Sequence, residues 1–298
     1  MRYNPLLMRQ FFISLCLLCV LLAGCSGPAG ADSQANSPQI YIQNKGSDTM
    51  VNLALAWAER YQQEYSDARL SVTGGGTGTG LAALATNTVD IANASRAIKA
   101  EEIKQAEAQG IKPKGYVVAR DAIAVIVNPK NPVQELTLSQ ISKIYRGDIN
   151  NWREVGGEDR PIVRLSRETN SGTHVYFLES VLRMGSKTDK SLFSMDTLLL
   201  PSSEGIISEV RDNPNAIGYD GLGYVTPDVK VLAVAKEAGK PYVLPSAETV
   251  NSNKYPISRD LYMYAKEDCS PQVKKYLDWV ITPEAQKIVT QLGFVPVK

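Results

Sequence analysis

The sequence predicts an α/β fold of two lobes joined by a two-strand hinge, and three observations lead there. Strand-like runs alternate with runs of helical spacing through most of the chain, the order that builds largely parallel sheets covered by helices. Two apolar runs, residues 116–128 (YVVARDAIAVIVN) and 255–265 (YPISRDLYMYA), are longer than ordinary strands and fit segments crossing between lobes. A unit of strand, small polar turn and helix occurs three times without a fixed period, which marks a device reused within one fold rather than a repeat array.

The first unit has a strand at 39–43, the turn Gly46-Ser47-Asp48-Thr49 and a helix over 50–65. In that helix Leu53, Trp57, Tyr61 and Tyr65 recur every fourth residue, and Ser47, Asp48 and Thr49 are good N-cap types. The second has a strand at 70–73, the run Gly74-Gly75-Gly76-Thr77-Gly78-Thr79-Gly80 and a helix over 81–89. After Val89-Asp90-Ile91 and Ala92-Asn93-Ala94-Ser95-Arg96 comes a polar helix at 99–109, whose Glu101 and Glu102 read as a solvated first turn. The run 116–128 is ended by Pro129 and Pro132, and a helix at 136–145 follows, with Thr137 or Ser139 near its start. The third unit has a strand at 161–165, the turn Arg167-Glu168-Thr169-Asn170-Ser171-Gly172-Thr173 and a helix over 175–182. A helix at 199–210 beginning near Pro201, Ser202 and Ser203, strands at 215–219, 230–234 and 255–265, and helices at 271–280 and 283–292 complete the chain.

At 44% hydrophobic and 21% charged, the 298 residues have the composition of a soluble globular protein. Residues 1–24 read as a lipoprotein signal peptide: Arg2 and Arg9 precede a short apolar run, and Leu22-Ala23-Gly24-Cys25 resembles a bacterial lipobox. This implies cleavage before Cys25 and lipidation of its thiol, and residues 25–38 read as a flexible tether with a reach of about 20 Å. Cys16 and Cys19 fall in the signal, so Cys269 remains as a lone thiol, expected to be a small buried hydrophobe without a disulfide. The 32 basic residues drop to 30 without Arg2 and Arg9, against 31 acidic ones. That balance gives no reason to expect nucleic acid or an electrostatically bound membrane.

The glycine run is not a nucleotide loop. It ends Gly80-Leu81 rather than Gly-Lys-Ser/Thr, and the third glycine of a dinucleotide fingerprint is missing. A turn of this kind also serves as a plain structural cap, and that alternative stands for each of the three turns. Taken together they offer hydroxyl and backbone donors at helix starts, from Ser47, Thr49, Thr77, Gly78, Thr79, Ser171, Gly172 and Thr173, which suits a buried oxyanion. Arg96 and Arg167 add forks that match a tetrahedral anion. Ser171 and His174 invite a nucleophile and base reading, but they share one helix start and no Gly-x-Ser-x-Gly elbow is present. His174 is the only histidine, so a zinc site of the usual kind is not expected, nor is a cofactor.

The motifs GSDTM at 46–50, GGGTGTGLAAL at 74–84, VDIANASRAIK at 89–99, SRETNSGT at 166–173, NAIGYDGLGYV at 215–225 and YPISRDLYMY at 255–264 resemble the PstS-type phosphate-binding lipoproteins of bacterial phosphate ABC transporters. The resemblance implies a type II periplasmic-binding-protein fold, with one lobe from 39–120 and 259–298 and the other from 121–258. It also implies inorganic phosphate bound between the lobes and delivered to ABC transporter permease subunits, by a monomer anchored outside the cytoplasm through Cys25. Ligand contacts carried over by motif fall on Ser47, Thr49, Thr77, Gly78, Thr79, Arg167, Ser171, Gly172 and Thr173. Many relatives place an aspartate where this chain has Arg96; there it accepts the proton of a phosphate oxygen, which sulfate lacks. Arg96 and Asp48 complete the expected phosphate-binding set, Asp48 being either the replacement acceptor or an N-cap. The alternatives are a binding protein for molybdate, tungstate or sulfate, a phosphate sensor, or a structural surface lipoprotein.

Overall fold

The structure is a computed structural model and describes residues 39–297. The signal-like segment, the tether and Cys25 lie outside the described residues.

Strand β1 (Ile40–Gly46) leads through a 3₁₀ turn (Asp48–Met50) into α1 (Val51–Glu64), followed by β2 (Ala68–Thr73), α2 (Thr77–Ala85), β3 (Ile91–Ala94) and α3 (Ala100–Glu107). The long strand β4 (Pro113–Val127) then passes to β5 (Glu135–Thr137), α4 (Leu138–Arg146), β6 (Val163–Arg167) and α5 (Gly172–Phe177), which widens into a π turn (Leu178–Leu182). Next come β7 (Leu198–Leu200), α6 (Ser203–Asp212), β8 (Ala216–Gly221), β9 (Lys230–Val231), β10 (Ala233–Ala235) and α7 (Ala247–Asn251). The second long strand, β11 (Ser258–Lys266), and helices α8 (Pro271–Val280) and α9 (Pro283–Gln291) close the chain.

The main sheet runs β2-β1-β3-β11-β4-β8-β6-β7, with β9 also on β4. Pairings among the strands that alternate with helices are parallel, as expected: β1 with β2 and β3, β6 with β7 and β8. The two long strands depart from that expectation, because β11 is antiparallel to both β3 and β4 and β4 is antiparallel to β8. The first part of β4 pairs with β11 and the last, Ile123 to Val127, with β8, so one strand serves both parts of the sheet. The chain leaves the first lobe along β4 and returns along β11, which makes their opposite direction unavoidable.

Two of the three buried apolar clusters among the described residues are large, and the first runs across this junction to Leu165 of β6, Ile206 of α6 and Ala216 of β8. It gathers Trp57 and Tyr61 of α1 with Tyr276, Leu277 and Trp279 of α8, and the Trp57 indole donates to the Ala285 carbonyl of α9 at 2.9 Å. The four-residue spacing read in 50–65 is thus the face that the C-terminal helices cover. The other core centres on Tyr145, Phe177 and Tyr219, with Trp152 and Tyr255 around them.

Several expected boundaries move for local reasons. Helix α2 starts at Thr77, four residues earlier than read, because Gly76 at φ 90° is the break, Gly78 sits in the first turn where no intrahelical N–H bond is needed, and Gly80 already donates to the Gly76 carbonyl. The segment 230–234 splits between β9 and β10, and residues 198–200 form a strand before Ser202 caps α6. Thr137 rather than Ser139 caps α4 in a reciprocal pair with Gln140. Glu102 is not a solvated first-turn residue, since it receives both arms of the Arg96 fork at 2.7 and 2.8 Å. Cys269 is half-buried, packed against the first core rather than within it.

Candidate functional site

The three turns meet. Thr49, at the start of α1, and Thr173, at the start of α5, are hydrogen-bonded through their hydroxyls at 2.8 Å. Gly78 of α2 donates its backbone N–H to the Asn170 carbonyl at 3.0 Å, and the Asn170 amide donates to the Gly75 carbonyl at 3.0 Å. Gly172 lies so close to Thr77 and Ser95 that a Cβ on it would stand 2.4 Å from Thr77 Oγ1 and 2.5 Å from Ser95 Oγ. Three helix starts therefore face one polar cluster in which Ser47, Thr49, Thr77, Ser95, Ser171 and Thr173 are all buried.

Each helix starts after a short turn from the end of its strand, and the first-turn N–H groups of α1, α2 and α5 have no partner within their own helices. Ser171 caps α5, accepting from the backbone N–H of Thr173 at 3.2 Å and of His174 at 3.5 Å. That leaves the hydroxyl proton of Ser171 for another acceptor. Thr77 Oγ1 accepts from the Ser95 backbone N–H at 3.1 Å and stands 3.3 Å from the Ser95 hydroxyl. Thr79 is turned back into its own loop and donates to the Gly75 and Gly76 carbonyls at 2.6 and 2.8 Å.

Arg167 is 1% exposed and its fork reaches from the third turn to the first. It donates to Asp48 Oδ2 at 3.0 Å, Ser203 Oγ at 2.8 Å and the Pro201 carbonyl at 2.8 Å. Asp220 stands 3.8 Å from the same guanidinium and accepts from Ser203. Burial pushes its carboxyl up to about 6, against the opposing pull of Arg167. Asp48 is not a cap of its own helix: Oδ1 accepts the Gly75 N–H at 2.9 Å while Oδ2 holds Arg167, and its carbonyl accepts from Tyr224 at 2.7 Å. Arg96 differs from Arg167, since its guanidinium is committed to Glu102 and the Ala97 carbonyl.

His174 is buried beside Ser166, whose hydroxyl lies 3.0 Å from Nδ1 and 2.6 Å from the Tyr219 hydroxyl. Burial lowers the imidazole below its usual range, and the ring packs on Phe193. Among the described residues no cluster of three or more His, Cys, Asp and Glu side chains could hold a metal ion.

Sequence reading missed Ser95, Asn170, Ser203, Asp220 and, above all, the pair Asp121 and Arg259. Arg259 Nη2 donates to Asp121 Oδ2 at 2.8 Å and to Thr173 Oγ1 at 3.0 Å. A signal for this pair was present: each long apolar run carries an Arg-Asp dipeptide, Arg120-Asp121 and Arg259-Asp260. Antiparallel register sets Arg259 opposite Asp121 and Asp260 opposite Arg120, so the two dipeptides match reciprocally, one pair buried and one partly exposed.

Residues 31–284 match the model of a PBP superfamily domain. Phosphate-binding protein PstS of Bacillus subtilis is 32% identical over 290 residues, covering 93% of this chain and 90% of that one. The protein of the same name from Pseudomonas aeruginosa is 30% identical over 272 residues, covering 86% and 82%. Among solved structures, a Clostridium perfringens protein with bound phosphate, assigned as a substrate-binding protein of a phosphate ABC transporter, is 33% identical. It superimposes with a TM-score of 0.76 over 87% of this chain and 100% of that one. Identity, coverage and the shared fold agree, and the chain belongs to the PstS family of phosphate-binding proteins within the PBP superfamily.

Proposed function

We propose that this protein captures inorganic phosphate between its lobes and delivers it to the permease of an ABC transporter, making and breaking no covalent bond. The observation that carries this reading is the meeting of three helix starts on one buried cluster of hydroxyls with Arg167 at its edge. Residues 39–120 with 259–298 form one lobe and 121–258 the other, so the ligand joins donors from both. Ser47, Thr49, Thr77 and the Thr79 backbone N–H act from the first, and Arg167, Ser171, Gly172 and Thr173 from the second, while Gly78 and the Thr79 hydroxyl tie the turns together through the Asn170, Gly75 and Gly76 carbonyls. Asp48 accepts the proton of a phosphate oxygen, and Arg96 acts through Glu102 on the shape of the cleft rather than on the anion. The protein works as an extracytoplasmic monomer held to a membrane by lipid on Cys25.

The cluster sets two cations, Arg167 and Arg259, against three carboxyls, Asp48, Asp121 and Asp220. Net charge therefore does little to hold a dianion, and oriented donors must do it. Hydrogen bonds to a charged group contribute about 1.5–3 kcal/mol each, so several are needed to offset the cost of immobilising the ion. Binding to both lobes favours the closed arrangement over the open one. Isothermal titration with phosphate, sulfate and molybdate tests the reading: heat with phosphate and at least tenfold weaker binding of the other two is expected. Tighter molybdate or sulfate would reassign the ligand, and no heat with any of the three would remove the function.

A further inference from the structure

The least expected charged group at the cluster is Arg259. It sits on β11 two residues before the fully buried Leu261, and its side chain is only 2% exposed. Asp121, opposite it on β4, is fully buried and takes both Nε and Nη2 on one oxygen, at 3.2 and 2.8 Å. Asp121 Oδ1 accepts the Leu222 backbone N–H at 3.1 Å, so the carboxylate is held from two sides and holds the guanidinium in turn. Nη1 of Arg259 is buried without a hydrogen-bond partner among the described residues. Arg259 also lines a cavity of about 300 Å³ with Tyr176 and Tyr262.

Nη2 reaches Thr173 Oγ1 at 3.0 Å and Thr49 Oγ1 at 3.5 Å, and these two hydroxyls are 2.8 Å apart. A hydroxyl has one proton and two lone pairs, whereas a guanidinium can only donate. Arg259 therefore occupies acceptor positions on the threonine oxygens. One threonine proton closes the bond between them, and the other is left to seek an acceptor. An oxyanion oxygen is such an acceptor.

We propose that Arg259 is a positioning residue of the anion site: neutralised by Asp121, it orients the Thr49 and Thr173 hydroxyls across the cleft so that their free proton is offered to the ligand. This rests on the phosphate-capture reading above. Its simplest rival is a buried ion pair that only holds β4 to β11, and such a pair can be replaced by apolar residues at little cost to stability.

Two variants of the full protein separate the possibilities by calorimetric titration with inorganic phosphate. The double variant Arg259→Met with Asp121→Leu removes both charges, and Arg259→Lys keeps the ion pair while losing the fork. If Arg259 orients the hydroxyls, the double variant keeps a near-wild-type melting temperature and binds phosphate about 10- to 100-fold more weakly, the effect of one charge-assisted hydrogen bond. The lysine variant weakens about tenfold. Phosphate affinity within threefold of wild type in either folded variant overturns the proposal, and if the double variant fails to fold, the lysine variant decides alone. Wild-type protein that gives no heat with phosphate removes the function as well; wild-type binding with unaffected variants removes only the role of Arg259.

Discussion

Asp48 shows how one side chain can belong to two turns at once. Its carboxylate joins the Gly75 backbone N–H to the Arg167 guanidinium, so it is neither a free acceptor nor a simple helix cap. An ionised carboxylate has about four acceptor positions, and two remain for a protonated ligand oxygen. Asp48→Asn keeps the shape but replaces one acceptor with a donor. Phosphate binding is expected to weaken about 10- to 100-fold, with a smaller loss for sulfate, in competition titrations of the two anions. Equal losses for both would leave Asp48 as a tie between turns with no part in selectivity. Three of the four arginines buried among the described residues teach a related lesson. Arg96, Arg167 and Arg259 carry the same group, yet Glu102 fills the fork of the first, while the other two reach Asp48 and the threonine pair.

The helix starts work as elements because they can approach each other closely. α2 begins after Gly76, whose φ of 90° is disfavoured for side chains, and its first turn is packed against the start of α5 at Gly172. Gly172 itself has an ordinary backbone, and what it requires is space, since Thr77 Oγ1 and Ser95 Oγ fill the place of a Cβ. Gly172→Ala should therefore leave α5 formed but push the two starts apart. Overpacking of this kind costs about 1–3 kcal/mol, and because it falls on the closed arrangement it is expected to appear as roughly 5- to 150-fold weaker phosphate binding. Titration together with far-UV circular dichroism checks this: an unchanged affinity would mean that the two helix starts part freely when ligand binds. The helices themselves were readable from caps and periodicity, as Thr137, Ser171 and Ser202 show. The short strand at Leu198–Leu200 and helix α7 were not, because segments so brief span too little of the repeat to show a periodicity.

For the molecule as a whole, a ligand held by both lobes must stabilise them together. Phosphate at 100 times its dissociation constant adds about 2.7 kcal/mol to the folded state, which for a domain of this size corresponds to a rise of roughly 5–10 °C in melting temperature. Differential scanning calorimetry is expected to show that rise with phosphate and at most about half of it with equal sulfate, and a shift of the same size with both anions would count against selective closure. The α/β class, the two long strands and the three donor turns were legible in the sequence, because periodicity, β-branching and cap chemistry act over a few residues and leave a local trace. The antiparallel course of the long strands, the capture of Arg96 by Glu102 and the link from Arg259 to Asp121, 138 positions apart, were not. Tertiary structure alone decided those, since which donor meets which acceptor depends on strand register and on how the chain returns through the junction, and neither is written in any short stretch of residues.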